Sequence, residues 1–340
     1  MKTATVFLFI ATFTASVSLA GSVVSPYEIG TWRGFRSAAI SYTFDDGCSN
    51  QFAVAIPMFD QKDFKLTLFT VTGNSMFPGW PKLKAAAAKG HEIASHSVTH
   101  ANFGKLSESQ QTTELKNSRD AINANISGQK CITMAYPYCV RGNDKLVSQY
   151  YVAARICSGQ IAPSTPANFM DVSSIVCGSE SSVKTARDFN NKVNQAAVVN
   201  GWCVFLIHGI DNDGGYSPIT TATLQGSIDY VAANKDKFWV ETFGNVACYI
   251  LERNAASIKE TAAGDDSITL EVTDNLDDSI FNYPITLRRP LPENWPSAAV
   301  SQNNKPVNAQ IVDVASKKHV MFDVVPNGGN IIITKKTAVQ

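Results

Sequence analysis

The chain has 340 residues, 44% hydrophobic and 17% charged, with 29 basic against 29 acidic side chains and so no formal net charge. That composition is globular, and the length suits one large domain plus a small one. Without a basic surplus or stripe, a nucleic-acid partner is not expected, whereas a neutral partner such as an uncharged glycan remains open.

In chain order, Lys2 precedes the apolar stretch "ATVFLFIATFTASVSLA", which ends on small residues at Ser18 and Ala20. A charged start, a short apolar core and a small-x-small end predict a secretory signal peptide over residues 1–20, cleaved near Ala20. An anchoring helix is the alternative, for which the run is short and polar. No later segment is apolar and long enough for a transmembrane span, so the mature chain is expected to be secreted, periplasmic or extracellular. Export permits disulfides, and seven cysteines (48, 131, 139, 157, 177, 203 and 248) leave at least one thiol unpaired or joined to another chain. No CxxC pair occurs, which argues against a cysteine-built zinc site.

Residues 21–35 read as a lead-in. From 36 to about 255, β-rich apolar runs alternate with amphipathic stretches. "AAISYTF" precedes a helical "NQFAVAIPMFDQKD" and then "KLTLFTVTG"; "PKLKAAAAKG" is a helix closed by Gly90, followed by the strand "HEIASHS". "SESQQTTELKNSRDAINANI" is a helix capped at Ser107 that leads into "CITMAYPY", and the pattern recurs in "NDKLVSQYYVAARI", "NKVNQAAVVNGWCVFLIHG" and "TTATLQGSIDYVAANKDKFWVETF". Such alternation means α/β architecture: parallel strands with crossover helices, in an open sheet or a barrel. After roughly Ala262, with "AAGDDS" as a linker, residues 263–340 change to short alternating strands ("DSITLEVTD", "YPITLRRPLP", "AQIVDVA", "KHVMFDVV", "NIIITKK"), with a turn at Asn327-Gly328-Gly329. They predict a small all-β, sandwich-like C-terminal module.

The chemistry begins at "SYTFDDGCSN", where an apolar strand ends in adjacent carboxylates, Asp45 and Asp46. Asp46-Gly47 is compatible with a plain turn, yet two neighbouring carboxylates repel and are costly to bury without partners. Downstream, "HSVTH" places His96 and His100 four apart, a spacing that on one helical turn points both imidazoles the same way. Two neutral imidazoles and one carboxylate form a ligand set for a divalent metal, zinc by default and cobalt as a substitute. Of the five histidines, His96, His100 and His208 follow strand-like runs, where a barrel's chemistry sits, while His91 and His319 read as surface or core residues. One aspartate on a dication leaves its neighbour ionised and able to take a proton from a water the cation has acidified. His208 is placed to supply the complementary acid.

"TFDDG" (43–47), "HSVTH" (96–100), "AYPY" (135–138) and "FLIH" (205–208) together resemble, in order and separation, the successive motifs of the NodB-like polysaccharide deacetylases, carbohydrate esterase family 4. The resemblance covers residues 36–250. It implies a distorted (β/α) barrel and removal of acetyl groups from a polysaccharide or oligosaccharide. By position it makes Asp45 the general base, Asp46 a metal ligand with His96 and His100, and His208 the general acid. The Tyr138 backbone N–H would help to hold the oxyanion.

The chain departs from this pattern in two places. The third motif usually opens with an arginine that steadies the base, and that position is Ala135, so Arg155 is a candidate substitute. No version of the family's Asp-Trp motif is present; Asp171 matches by order only, and Trp202 or Trp239 is either pocket lining or core. Tyr216, in the polar loop "HGIDNDGGYSP", and Arg155 are the candidate substrate-side residues, with an ordinary surface loop as the alternative for the first. Cys48 and Cys139 each follow a site motif, so they are either bonded to one another or buried thiols. Three readings remain: a deacetylase on N-acetylated glycan such as chitin or peptidoglycan, an O-acetyl esterase on xylan, and a non-catalytic carbohydrate-binding protein.

Overall fold

Eight parallel strands carry the larger part of the chain. The computed structural model describes residues 25–337; the expected signal peptide lies outside them. The sheet runs Ala153–Arg155, Thr133–Ala135, Glu92–Ser95, Thr67–Thr70, Ala38–Asp45, Trp202–Ile207, Ile175–Val176, with Phe238–Val240 paired to the first residues of Ala38–Asp45. A parallel bridge from Arg155 to Val172, just before Ile175, brings the two ends of the sheet together. The result is a distorted barrel, as the resemblance implies. Ala38–Asp45 is buried at every position, which is why it reads as an unbroken apolar run.

Side chains alternate along each strand, and the alternation separates two clusters. Ile40, Tyr42 and Phe44 pack against the helix layer with Phe59, Phe189 and Ile228. Ala39 lies on the opposite face with Phe69, Ala94, Ala135, Ala153 and Val204. Small or polar residues continue these inward rows, and Asp45, His96, Arg155 and His208 each fall an even number of positions further along one. Helices Trp80–Ala88, Glu108–Asn125, Ala186–Val198, Thr221–Ala233 and Phe243–Ala255 cover the sheet. Ser107 and Gln110 form a capping box at the start of Glu108–Asn125, worth about 1 kcal/mol.

The C-terminal module is a sandwich of two antiparallel sheets. One orders Glu28–Ile29, Ile285–Pro290, Lys317–Val324 and Ala309–Val314; the other orders Ser257–Ala263, Ser267–Thr273, Ile331–Lys336, Ser297–Gln302 and Lys305–Val307. Ser267–Thr273 alternates buried and solvent-facing residues as its sequence predicts. Two features differ from the sequence reading. The module begins at Ser257, because Ser257–Ala263 is an edge strand without apolar alternation, held by backbone pairing to Ser267–Thr273. The lead-in is not a separate element, since Glu28 and Ile29 pair with Arg288 and Leu287. Trp32, Trp239, Tyr249 and Ile250 share one core with Leu270, Leu287 and Phe322, so barrel and module are packed together.

Glu252 is buried on the last barrel helix, where its Oε2 accepts from the Tyr283 N–H at 3.1 Å and its Oε1 has no partner among the described residues. Burial, reinforced by Asp274 and Asp278, pushes its carboxyl from 4.5 up to about 8. A carboxyl raised on folding favours the native state while protonated, and that contribution is lost as pH rises from the unfolded value through the folded one. Stability of the native chain should therefore decline between pH 4.5 and about 8. Glu252→Gln should flatten that slope in denaturant titrations across the range; an unchanged slope would refute the assignment.

Candidate metal and catalytic site

Asp45 ends its strand, and the chain then turns through Asp46 (φ 71°) and Gly47 (φ 70°). A Cβ at Gly47 would meet the Met76 carbonyl oxygen and Pro78 Cδ, both at 2.9 Å, so only glycine fits. The turn is real, and it presents the two carboxylates in different directions: Asp45 inward with the barrel row, Asp46 towards the rim.

His96 follows the strand Glu92–Ser95, but the path to His100 is not the helical turn its spacing suggests. Ser97 (φ 65°) and His100 (φ 60°) are left-handed, and the two imidazoles converge across an irregular loop with ring centroids 4.8 Å apart. Each such non-glycine residue costs on the order of 1–3 kcal/mol. Glu114, buried on the helix Glu108–Asn125, offsets this by accepting from Val98 N (2.8 Å), Thr99 N (2.9 Å) and Thr99 Oγ1 (2.7 Å). Hydrogen bonds to a charged acceptor contribute about 1.5–3 kcal/mol each. Nothing in the motif pointed to Glu114, because its role is visible only once the helix lies beside the loop.

Asp46 Oδ1 lies 3.6 Å from His96 Nε2 and 3.5 Å from His100 Nε2, and the three donor atoms fall within 4.8 Å of one another. That oxygen is buried with no hydrogen-bond partner among the described residues. His96 Nδ1 is 2.8 Å from the Ala135 carbonyl, which can only accept, so Nδ1 carries the proton and Nε2 offers its lone pair. Burial lowers the His96 imidazole from 6.5 to about 4, keeping it neutral and ligand-competent. Burial and then the charge of Asp45 raise the Asp46 carboxyl to about 6, a repulsion that a dication would relieve. A carboxylate and two neutral imidazoles, two of them buried or nearly so, fit zinc or cobalt.

Arg155 settles the charge of Asp45. Its guanidinium pairs with Asp45 Oδ2, donates to Ser174 Oγ at 3.1 Å and stacks over Phe69 at 5.0 Å. Burial would push Asp45 up, but Arg155, followed by His96 and His208, holds its carboxyl below the ordinary range. Arg155 is the register partner of Ala135 on the neighbouring strand, so the guanidinium enters at the same level from one strand further round. With 2% exposure it cannot face substrate, which corrects the substrate-side expectation for this residue.

His208 Nε2 is 4.0 Å from Asp46 Oδ2, and its Nδ1 is buried without a partner among the described residues. Asp171 does not serve it, being ion-paired with Arg141. Trp202 and Trp239 are core. Tyr216, 57% exposed, sets its ring edge-on to His208 at 5.2 Å, and Tyr138, 64% exposed, does the same to His100 at 4.6 Å. Buried Gln51, which the sequence reading missed, donates Nε2 to the carbonyls of Asp45 and His208 (3.0 Å to the latter), tying the two strand ends together. A glutamine inside a mixed helical run carries no sequence signal for that role. The Cys48–Cys139 alternative is corrected: Cys139 bonds Cys157, with Cα atoms 5.6 Å apart, and Cys48 is free. Cys48 faces the loop after His208, where a Cβ on Gly215 would meet its Sγ, whereas Cys139 and Cys157 follow adjacent paired strands. His91 and His319 are buried structural residues; His91 accepts from Leu66 N at 3.2 Å.

Residues 34–152 match the polysaccharide deacetylase family, a segment that contains both aspartates, His96, His100 and Tyr138 and stops short of His208. The chain is 29% identical over 333 residues to a gellan lyase from a Bacillus species, covering 92% of this chain and 13% of that protein. It is 28% identical over 104 residues to the peptidoglycan-N-acetylglucosamine deacetylase of Bacillus cereus, covering 30% of this chain and 37% of that one. The chain thus spans well under two thirds of either relative. A solved structure of a candidate polysaccharide deacetylase from Mycobacterium smegmatis superposes with a TM-score of 0.51 at 17% identity, over 66% of this chain and 94% of the other. Residues 34–152 thus resemble the polysaccharide deacetylases, and the barrel shares its fold with that solved structure.

Removing one partner of a buried ion pair strands the other, at about 3–5 kcal/mol. Arg155→Met should therefore destabilise the fold by roughly 3 kcal/mol at neutral pH, while Asp45→Asn combined with it should recover part of the loss. A double-mutant cycle in urea measures this, and additive losses would show that the pair is not coupled.

Proposed function

We propose that this chain is a secreted, metal-dependent deacetylase that hydrolyses acetyl groups from an acetylated polysaccharide or oligosaccharide, the barrel (residues 36–255) carrying the reaction. The observation that supports it most is the division of labour between adjacent carboxylates: Asp45 held ionised by Arg155, and Asp46 facing two imidazoles with an unpartnered oxygen. A zinc or cobalt ion bound by Asp46, His96 and His100 would supply Lewis acidity to the acetyl carbonyl and acidify the attacking water. Asp45 accepts the proton of that water. The Tyr138 N–H donates to the developing oxyanion. His208 protonates the departing sugar oxygen or nitrogen at Nε2, and Gln51 keeps the Asp45 and His208 strand ends at a set separation. Tyr216 offers an exposed ring for a neighbouring sugar. No helix among the described residues is long and apolar enough to cross a membrane.

One observation favours the O-acetyl ester form of this reading, as on xylan. The Nδ1 of His208 has no hydrogen-bond partner among the described residues, so no carboxylate orients the ring from that side as an acid would need. An alkoxide leaving group needs less help from an acid than an amide nitrogen does. A non-catalytic binder explains the site less well, since a buried Asp–Arg pair is expensive to desolvate and contributes nothing to sugar binding.

Acetate release from acetylated xylan, chitin oligomers and peptidoglycan, measured in parallel with bound zinc, tests the function. Chelation should abolish release and zinc or cobalt should restore it; full activity without metal would end this mechanism. Asp45→Asn should retain metal while the rate falls about 10²–10⁴-fold, whereas Asp46→Asn should lose metal. His208→Ala should cost far more on amides than on esters, and equal small losses on both would remove it as the acid.

A further inference from the structure

We propose that the Cys139–Cys157 disulfide is a positioning element of the active site, which locks the turn bearing the Tyr138 amide to the strand end bearing Arg155. The inference rests on the deacetylase reading for what those two groups do, and on geometry for their connection. Thr133–Ala135 and Ala153–Arg155 pair in parallel up to Ala135 and Arg155. Past that point the ladder holds on through one further bond, Tyr136 N to the Arg155 carbonyl at 3.1 Å, and then stops. The two chains separate there, one into the turn Pro137–Cys139 and the other along Ile156 and Cys157. The disulfide spans the gap with its Cα atoms 5.6 Å apart.

The turn needs such a tie. Tyr138 (φ 55°) and Cys139 (φ 59°) are consecutive non-glycine residues in the left-handed region, a conformation that persists only where surrounding structure imposes it. The bonds closing the turn, Cys139 N to Tyr136 O and Val140 N to Pro137 O, are local and would survive its rotation as a unit. The Tyr138 side chain is 64% exposed and packs edge-on against His100, so it gives little anchorage. Arg141 secures the chain beyond the turn through Asp171 and Asp144, and Tyr136 secures it before, through its hydroxyl on the Met170 carbonyl. Between those anchors Pro137 is buried and Val140 packs beside Gly104, and the covalent bond to Cys157 adds the tie at Cys139, next to the amide. Cys157 lies two residues past Arg155, so the same bond also restrains the strand end beneath Asp45.

The test uses the full, zinc-loaded chain before and after a water-soluble phosphine. The disulfide takes up two electrons and two protons to give two thiols, and the phosphine becomes its oxide with oxygen from water. Thiol counting reports conversion, and amide hydrogen exchange follows residues 136–141. On reduction, kcat for acetate release should fall about tenfold or more with KM within about twofold. Zinc should stay bound, and exchange should rise at 136–141 without a general increase. Reoxidation should restore both. Cys139→Ser and Cys157→Ser should reproduce the reduced state without recovery, which covers a bond that resists the phosphine; should either variant misfold, reduction of the folded protein decides. Unchanged kcat and exchange in the reduced chain would overturn the proposal, as would a fall in kcat that tracks zinc loss. If the oxidised chain releases no acetate from any acetylated glycan, the deacetylase reading fails, and the exchange at 136–141 alone still decides whether the disulfide holds the turn.

Discussion

Two neighbouring carboxylates buried at the mouth of a barrel repel, and the arrangement around Asp45 and Asp46 is what makes them compatible. Arg155 neutralises the first from below and keeps it ionised. The second is left with an unpartnered oxygen aimed at two imidazoles, and its carboxyl stays raised by burial and by its neighbour. The asymmetry comes from the strand itself: Asp45 is the last residue in an inward row, while Asp46 has already turned left-handed. Adjacent residues with the same side chain thereby acquire opposite electrostatics.

The rest of the site depends on holding strained backbone around that pair. Ser97, His100, Tyr138 and Cys139 all sit at positive φ without being glycine. Each is fixed by something outside its own motif: the Glu114 carboxylate for the histidine loop, the Cys157 bond for the tyrosine turn. Gln51 adds a cross-tie between the strands of Asp45 and His208. Chemistry carried on strand ends is aimed by residues that take no part in it.

The β-module belongs to the same packing problem. Its sheet takes in Glu28–Ile29 from the start of the described chain, and its core runs on into Trp32, Trp239 and Tyr249. Tyr249 donates to the Gly30 carbonyl at 2.7 Å and Tyr283 to Glu241 at 2.8 Å, so polar contacts cross the boundary as well. The two units meet around the last barrel helix and Trp239, at the opposite end of the strands from the candidate metal-ligand set.

The α/β alternation, the Ser107 cap and Gly90 helix end, most module strands and the Asp-Asp, His-x3-His and Leu-Ile-His motifs were legible in the sequence by itself. They are local: periodicity, capping and the strand-end position of a polar residue are written in neighbouring letters. The edge strand Ser257–Ala263 was not legible, because backbone pairing holds it and no apolar pattern marks it. His96 and His100 were readable as a ligand pair, yet not the irregular path that joins them. Arg155 could be nominated but not placed, since its reach to Asp45 comes from its register beside Ala135, twenty residues away in the chain. Glu114, Gln51 and the choice of Cys157 over Cys48 as the partner of Cys139 were decided only by tertiary structure. Each is a contact between elements distant in sequence, and such contacts exist only once the sheet has curled and the helices have packed on it.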